Sequence, residues 1–234
     1  LEGLIHLRQG ETHAARLAFT NSLYYRGSNS DVLYYLGVCQ AQEGMHEDAL
    51  RYLREALWFN RFKIAAPAQA LFQIGLLYEQ MNDKPAAEKT YREALQVNPE
   101  FTPAKVKLAE LWAQIGDQSA VLSLLRQALQ KDPDNDDLKI KLAGALLASA
   151  DRTVNKYDLA QALELTSSVS SKIPPEELHR HAVFSLYIKA LMSNGQLAQA
   201  EELIDKAIAA DPSHPQILAL KRQLEIEKAA HAVL

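Results

Sequence analysis

Cysteine and long apolar runs are scarce in this sequence, and their scarcity excludes several kinds of protein. Cys39 is the single cysteine among 234 residues, so neither an internal disulfide nor a cysteine-based zinc site can form. No stretch of about eighteen apolar residues is present to span a bilayer. No glycine-rich phosphate loop occurs either. The sequence therefore predicts no cofactor and no direct membrane insertion.

An excess of positive charge is also lacking. The chain has 25 Lys and Arg residues against 29 Asp and Glu residues, which gives a net charge of −4. Nucleic acid is disfavoured as a partner because no dominating positive field is available to attract phosphates. A hydrophobic fraction of 48% is sufficient for a folded core. The compartment stays open between cytoplasm and periplasm, and the start at Leu1 rather than Met predicts a fragment of a longer protein.

One acidic segment has the beginning of a calcium-binding pattern. Asp132, Asp134 and Asp136 alternate as the first ligands of a calcium loop do. The sixth position of that loop, however, holds Asp137 instead of glycine, and the twelfth holds Ala143 instead of glutamate. We therefore interpret these aspartates as residues that cap the following helix, where negative charge is favourable.

Candidate catalytic residues are few. His179 and His181 are the only close histidine pair, and a spacing of two places them on different faces of a helix, so we interpret them as surface residues. No Ser-His-Asp or Cys-His arrangement with supporting context occurs. The sequence predicts no enzyme activity and no metal site.

The most informative feature that is present is an internal repeat with a period of 34 residues. Within each unit the apolar residues have the spacing of two successive amphipathic helices. Four positions of the first copy return at this period, since Gly3, Gly10, Ala15 and Phe19 return as Gly37, Gly44, Ala49 and Leu53. The turn between the helices carries a residue that tolerates left-handed backbone in five units, namely Gly10, Gly44, Asn82, Gly116 and Gly195. Such a period is typical of stacked helical pairs.

The unit resembles the tetratricopeptide repeat (TPR). Residues 71–78 read LFQIGLLY and match the first-helix pattern of that family, while Ala87, Tyr91 and Pro99 match the second helix and its end. The resemblance implies an all-α fold, a right-handed superhelical solenoid of helix-turn-helix units in which residues 1–234 form one domain. Six repeats are expected, followed by a capping helix over 215–234. The repeats are predicted at about 1–29, 30–67, 68–101, 102–135, 136–180 and 181–214.

Departures from the family pattern predict where the array is irregular. Val121 departs from the small residue that the other repeats have in their second helix. Ile188 departs from the small first-helix residue, so the last repeat is expected to pack more loosely or differently. Longer intervals between repeats place insertions near 61–67, 149–157 and 175–179. The second helix of the fifth repeat is rich in Ser and Thr, which have modest helix propensity, and this predicts the weakest unit.

The resemblance also implies a binding surface, because the first helices in this family line a concave face that binds extended or helical peptides. Gln42, Gln80 and Gln114 would form a ladder of amides along it, suited to a peptide backbone. Tyr34, Phe72 and Leu76 are the expected anchors, and Phe72→Ala is predicted to weaken binding without loss of helical content. The predicted groove, mostly apolar, comprises Tyr34, Val38, Gln42, Phe72, Leu76, Gln80, Val106, Gln114, Ile140 and Leu147.

The groove lacks the features of one well-known subgroup. Chaperone-binding members of the family hold a C-terminal carboxylate with Lys, Arg and Asn, but the corresponding positions here are Tyr34, Val38, Phe72 and Leu76. Binding of Hsp90 or Hsp70 tails is therefore disfavoured.

Two functions stay open. The first is a noncatalytic protein-protein interaction scaffold that binds an extended or helical partner segment in the apolar groove. The second is a regulatory or anchoring TPR domain of a larger protein, such as a membrane assembly, secretion or pilus-biogenesis component or a multidomain enzyme. The alternative to a functional groove is one that is filled by the protein's own residues.

Overall fold

The computed structural model of the protein describes residues 2–26, 29–150, 155–174, 177 and 181–232. Within these ranges the chain forms helices and turns and contains no strand, as the repeat pattern predicts. The helices of the described ranges are, in chain order, α1 (Glu2–Arg8), α2 (Thr12–Arg26), α3 (Ser30–Gln42), α4 (His46–Phe59), α5 (Pro67–Gln80), α6 (Lys84–Val97), α7 (Thr102–Ile115), α8 (Gln118–Lys131), α9 (Asp136–Ala150), α10 (Lys156–Ser170), α11 (Ala182–Ser193), α12 (Leu197–Ala210) and α13 (Pro215–Ala232).

Tight turns follow the first helix in five of the predicted repeats, the first four and the last. Each turn has its left-handed residue where the sequence predicts it, with φ of 77° at Gly44 and 60° at Asn82, for example. Such a backbone ends the first helix within a few residues and lets the second fold back against it. The left-handed turn residue is thereby confirmed at Gly10, Gly44, Asn82, Gly116 and Gly195.

The helices form two compact units, Leu1–Gln114 and Ile115–Leu234. The first contains α1 to α6 and nearly all of α7, and the second contains α8 to α13. The boundary therefore falls inside the predicted fourth repeat, at the end of its first helix. That residues 1–234 form one solenoid stays a prediction.

Small residues bring the paired helices of the first unit close together. A Cβ atom built on Gly37 would lie 2.6 Å from Leu53 Cγ, and one on Gly3 would lie 2.7 Å from Phe19 Cζ. Ala49, the small residue of the second helix, is completely buried. A larger side chain at either place would force the helices apart, because protein interiors are packed without spare volume.

The insertion predicted near 61–67 forms a loop that a buried carboxylate holds. Asp31 is only 4% exposed, and its side chain accepts hydrogen bonds from the backbone N–H groups of Lys63, Ile64 and Ala65 at 2.8, 3.1 and 2.8 Å. Ser30 Oγ accepts a further bond from Arg61 N at 2.8 Å. The start of α3 thus fixes the loop that leads into α5.

The core of the second unit includes the irregular last repeat and the cap. Ile188 replaces the small residue of α11, and its partner on α12 is Ile204 instead of an aromatic residue. Both are completely buried in one hydrophobic cluster. The predicted capping helix is present as α13, which adds Ile217, Leu220 and Leu224 to the same cluster. Two branched side chains thus substitute for the pair of a glycine and a large side chain that the first unit uses.

The acidic segment, two of the predicted insertions and the histidine pair all lie in the second unit. In the acidic segment, Asn135 bonds to the N-terminus of α9, accepting from Leu138 N at 3.1 Å, while Asp136 and Asp137 lie in the first turn of that helix. Residues 151–154 of one predicted insertion, and residues 175, 176, 178 and 179 of the other, lie outside the described residues. His179 is among them, whereas His181 directly precedes α11.

Candidate functional site

Helices α3 and α5 present the side chains of the candidate site, and local signals fix where each helix begins. Asn29 precedes α3, and its side chain accepts a hydrogen bond from Asp31 N at 2.8 Å. Pro67 opens α5, where its missing N–H is no loss. Gln69 Oε1 then accepts from Ala66 N at 2.9 Å. The two helices contact each other as the first helices of neighbouring pairs.

A cavity of about 170 Å³ lies between these two helices, and four of the ten predicted groove residues line it. Val38 and Gln42 come from α3, and Leu76 and Gln80 come from α5. Val38 and Leu76 are half-buried, whereas Gln42 and Gln80 are exposed at the mouth. Ala41, Leu77 and Gln73 complete the lining. We call this cavity the α3–α5 cavity.

Gln73 is the polar lining residue that the sequence did not predict. It follows Phe72 directly and so lies next to a position that was assigned inward, which is the signal that could have found it. Its side chain hydrogen-bonds the Tyr34 hydroxyl. The cavity therefore has three amide side chains around an apolar floor, from Gln42, Gln73 and Gln80.

Two of the three amides in the predicted ladder accept hydrogen bonds from side chains of the protein itself. Gln42 Oε1 accepts a hydrogen bond from Thr12 Oγ1 at 2.9 Å, and Gln114 Oε1 accepts one from Lys84 Nζ at 2.6 Å. Both bonds run to the preceding repeat. These bonds fix the two side chains and use only the oxygen of each amide. Each amide also has two N–H donors, which are suited to a carbonyl oxygen of a peptide backbone.

Tyr34 is not a lining residue of the α3–α5 cavity, but it contacts the lining residue Gln73. Its side chain is 9% exposed and makes an edge-to-face contact with Tyr35 at a centroid distance of 5.0 Å. Burial raises the pKa of Tyr34 to about 12, the neighbouring Tyr35 adds to this effect, and the hydrogen bond with Gln73 opposes it. The phenol therefore keeps its proton at neutral pH and serves as a fixed polar contact for Gln73.

Phe72 lies in an aromatic cluster instead of the cavity lining. Its ring centroid is 5.7 Å from that of Tyr91 on α6 and 5.6 Å from that of Phe101, the residue before α7. The side chain is half-buried. Phe72 is thus shared between the packing of two neighbouring pairs and the predicted groove surface.

Between α5 and the next first helix, α7, the side chains that meet are charged and not apolar. Lys107 Nζ lies 3.3 Å from Glu79 Oε2 and 3.1 Å from Glu110 Oε2. Burial acts to lower the pKa of Lys107, but the hydrogen bonds and charges of Glu110 and Glu79 outweigh it and raise this pKa. Val106 is half-buried and Gln114 exposed on α7, and neither lines the α3–α5 cavity. Within the first unit, apolar residues line the α3–α5 cavity, whereas charged side chains join α5 to α7.

The two groove residues predicted on α9 belong to the second unit. Ile140 is half-buried and packs against the hydrophobic cluster of α11, α12 and α13, and Leu147 is 8% exposed. Both therefore contribute to the packing of that unit.

The described part of the chain holds no group of three or more His, Cys, Asp or Glu side chains that could ligate a metal. None of the helices in the described ranges has the length and apolarity that a bilayer span requires.

Comparison with known proteins gives a consistent family and fold. Three tetratricopeptide repeat family models match the chain, over residues 1–70, 68–101 and 156–224. A search of curated proteins found no match. Solved structures with a similar fold include PilF of Pseudomonas aeruginosa, with a TM-score of 0.73, 16% identity and coverage of 94% of each chain.

Two further structures have the same fold at low identity. YrrB, a TPR protein with an unusual peptide-binding site, has a TM-score of 0.68 and 18% identity, with coverage of 88% of this chain and 98% of YrrB. MamA has a TM-score of 0.55 and 17% identity, with coverage of 84% of this chain and 96% of MamA.

Proposed function

Because this chain belongs to the tetratricopeptide repeat family, whose fold is that of a protein-interaction scaffold, we propose that it binds an extended segment of a partner protein in the α3–α5 cavity. The observation that carries the proposal is the lining of that cavity, where an apolar floor of Val38, Ala41 and Leu76 lies among the side-chain amides of Gln42, Gln73 and Gln80. Apolar residues take a ligand side chain, and amides bond a ligand backbone.

The size of the cavity sets what it holds. A protein cavity of roughly 150 Å³ accommodates benzene, so the α3–α5 cavity of about 170 Å³ fits one leucine-sized or phenylalanine-sized side chain. No Lys or Arg is among its lining residues, which argues against a carboxylate clamp at this place. YrrB has the same fold and a peptide-binding site, and we carry the peptide-binding role to this chain as part of the proposal.

Selection of phage-displayed random peptides on the purified chain, followed by calorimetric titration of an enriched peptide, tests the proposal. We expect enriched peptides to share one large apolar residue. Leu76→Ala should weaken binding by roughly tenfold or more, because apolar anchors at the centre of a site have the largest effect on affinity. Gln80→Ala should weaken it by roughly fivefold, the value of one lost hydrogen bond.

Matched controls separate a local effect from a general one. Leu17 is 49% exposed on α2, and Gln96 is exposed on α6, and neither lines the cavity. Leu17→Ala and Gln96→Ala should leave the affinity unchanged. An affinity that Leu76→Ala and Gln80→Ala leave intact would place the binding site elsewhere and end the proposal.

The regulatory or anchoring role in a larger protein stays a prediction. Lys107 and its ion-pair partners are not among the lining residues of the cavity, and the proposed contact is mainly apolar. Peptide affinity should therefore change little between low and physiological salt.

A further inference from the structure

A second pocket lies between α11 and the capping helix α13, in the Ile115–Leu234 unit. Its volume is about 660 Å³, several times that of the α3–α5 cavity. One face of α11 contributes Ser185 and Lys189, which are four residues apart, while the neighbouring face buries Phe184 and Ile188 in the core. We call it the α11–α13 pocket.

The polar side chains of this pocket are all able to donate hydrogen bonds. They are His181, Ser185, Lys189, His214, Gln216 and Gln223. No Asp or Glu is among the lining residues, so every charge that the lining can supply is positive. A group that only accepts hydrogen bonds and is negatively charged complements such a lining, and a carboxylate is such a group.

Lys189 is the principal cation of the pocket and is available to a ligand. Its side chain is exposed and makes no ion pair or hydrogen bond with any other residue that the structure describes. On the neighbouring α13, by contrast, Lys221 pairs with Asp205 at 2.9 Å, and Lys228 pairs with Glu201.

The start of α13 adds two further indications. The helix begins at Pro215 and has no acidic residue in its first turn, and Gln216 of that turn lines the pocket. Five helices, such as α6 with Asp83, have an Asn or Asp side chain bonded to their first N–H groups, whereas α4, α5, α11 and α12 do not, and His214 precedes α13. His214 Nδ1 is buried without a hydrogen-bond partner. The positive end of the helix and the His214 side chain thus border the same pocket.

We propose that the α11–α13 pocket binds a carboxylate of an acidic segment of a partner protein. A peptide fits better than a small free anion, because the pocket is large and Ala182, Ala219 and Leu220 give it an apolar wall. A carboxylate fits better than a phosphate, because the lining has one ammonium group and no guanidinium fork. This site is distinct from the α3–α5 cavity, and either can exist without the other.

Fluorescence anisotropy with a short labelled peptide of alternating Leu and Glu tests this proposal on the full chain. The peptide is used with a free and with an amidated C-terminus, and beside a counterpart in which Gln replaces Glu. We expect the Glu peptide to bind at least tenfold more tightly than the Gln peptide and to weaken with salt. If amidation alone removes the difference, the bound carboxylate is the C-terminal one, and if it does not, it is a side-chain carboxylate, and either result supports the proposal.

Variants locate the binding. Lys189→Gln should weaken the Glu peptide roughly tenfold and Lys189→Arg should retain most affinity, because one charge-assisted bond is removed or kept. Lys156 is exposed on α10 in the same unit, and Lys156→Gln is the matched control that should change nothing. Gln223→Glu places a carboxylate in the lining and should also weaken binding, independently of Lys189.

Two results would overturn the proposal. One is equal affinity for the Glu and Gln peptides, or an affinity that neither Lys189→Gln nor Gln223→Glu alters. The other is a phosphoserine peptide that binds more tightly than the Glu peptide and is displaced by inorganic phosphate, which would assign the pocket to phosphate instead.

Discussion

The ring of Tyr91 on α6 lies directly over Gly75 on α5. A Cβ atom built on Gly75 would be 2.3 Å from Tyr91 Cε1 and 2.6 Å from Tyr91 Cδ1, distances that side chains do not adopt. Tyr91 is completely buried. The absence of a side chain at residue 75 is therefore what lets the two helices of this pair enclose a large aromatic ring.

Gly75→Ala is expected to destabilise the protein by roughly 1–3 kcal/mol, because the new methyl group forces Tyr91 or the helix to move. Urea denaturation followed by circular dichroism measures this loss. Gly144→Ala is the matched control, since a Cβ there would meet nothing closer than Leu186 Cδ2 at 3.8 Å. That substitution should be neutral or stabilise by up to about 1 kcal/mol through helix propensity. Equal effects of the two variants would contradict the argument.

Asp31→Ala should release the loop that follows α4. The substitution leaves the N–H groups of Lys63, Ile64 and Ala65 without their acceptor, and hydrogen bonds to a charged group contribute more than neutral ones. We expect amide exchange at residues 63–65 to accelerate by roughly tenfold or more, together with a lower melting temperature. Asp134 is exposed, and Asp134→Ala should leave both quantities unchanged. Unchanged exchange in the Asp31 variant would show that the loop is held by other contacts.

The paired helices could be predicted because their signals are local. A period of 34 residues, small residues opposite large ones, and a left-handed residue in five of the turns are all signals within a single pair, as Gly37 and Leu53 illustrate. In the structure, Val38 and Leu76 line one cavity.

What could not be predicted depends on distances between pairs. The bond from Thr12 to Gln42 and the bridge from Lys107 to Glu79 join side chains on successive repeats, and periodicity does not determine which rotamers meet. The α11–α13 pocket was missed for the same reason, because its walls come from the last repeat and from a helix outside the repeat pattern. The sequence also has no signal at Gln114 for the division into two units.

Phe72→Ala is expected to lower stability, in contrast to the sequence-based expectation that it leaves the fold intact. The ring packs against Tyr91 and Phe101, and removal of a half-buried phenylalanine costs about 2 kcal/mol, less than the value for a fully buried one. Thermal denaturation measures the loss, and Phe72→Leu should recover most of it by refilling the volume. If the melting temperature of Phe72→Ala equals that of the parent, Phe72 belongs to the binding surface instead.

Cys39 should react very slowly with alkylating reagents in the folded protein. Burial raises the pKa of its thiol from 9.0 to about 11, with Glu43 adding to the effect, and the side chain is completely buried. At pH 8 the thiolate fraction is therefore roughly one-hundredth of that in the unfolded chain, and labelling with iodoacetamide should slow by at least that factor. Mass spectrometry with and without urea measures the ratio, and similar rates would contradict it.

The same shift has a definite sign for stability. The folded state holds the Cys39 proton more tightly than the unfolded state, so the stability that this group contributes is fully present below pH 9. It is lost as pH rises from 9 through about 11. Replacement of Cys39 by Val should therefore flatten the decline of the urea midpoint over that pH range, and an unchanged slope would oppose the prediction.

Helix α10 should be the least protected helix in amide exchange. Its Thr166 Oγ1 donates to Ala162 O at 2.8 Å and its Ser168 Oγ donates to Leu165 O at 3.1 Å, bonds that compete with the helix backbone. Ser170 Oγ is buried without a hydrogen-bond partner. We expect amides of residues 156–170 to exchange faster than those of residues 67–97, because a weak repeat depends on its neighbours for order.

Ser170→Ala tests the cause of that weakness. Removal of a buried, unbonded hydroxyl should stabilise α10 by about 1 kcal/mol and also raise its intrinsic helix propensity. Amide exchange in residues 156–170 should then slow by roughly fivefold, while residues 67–97 remain as they were. Ser123 is exposed on α8, and Ser123→Ala changes propensity without relieving a buried hydroxyl, so it should have a smaller effect on its own helix. If both variants slow exchange equally, propensity alone explains the result and the buried hydroxyl of Ser170 contributes nothing.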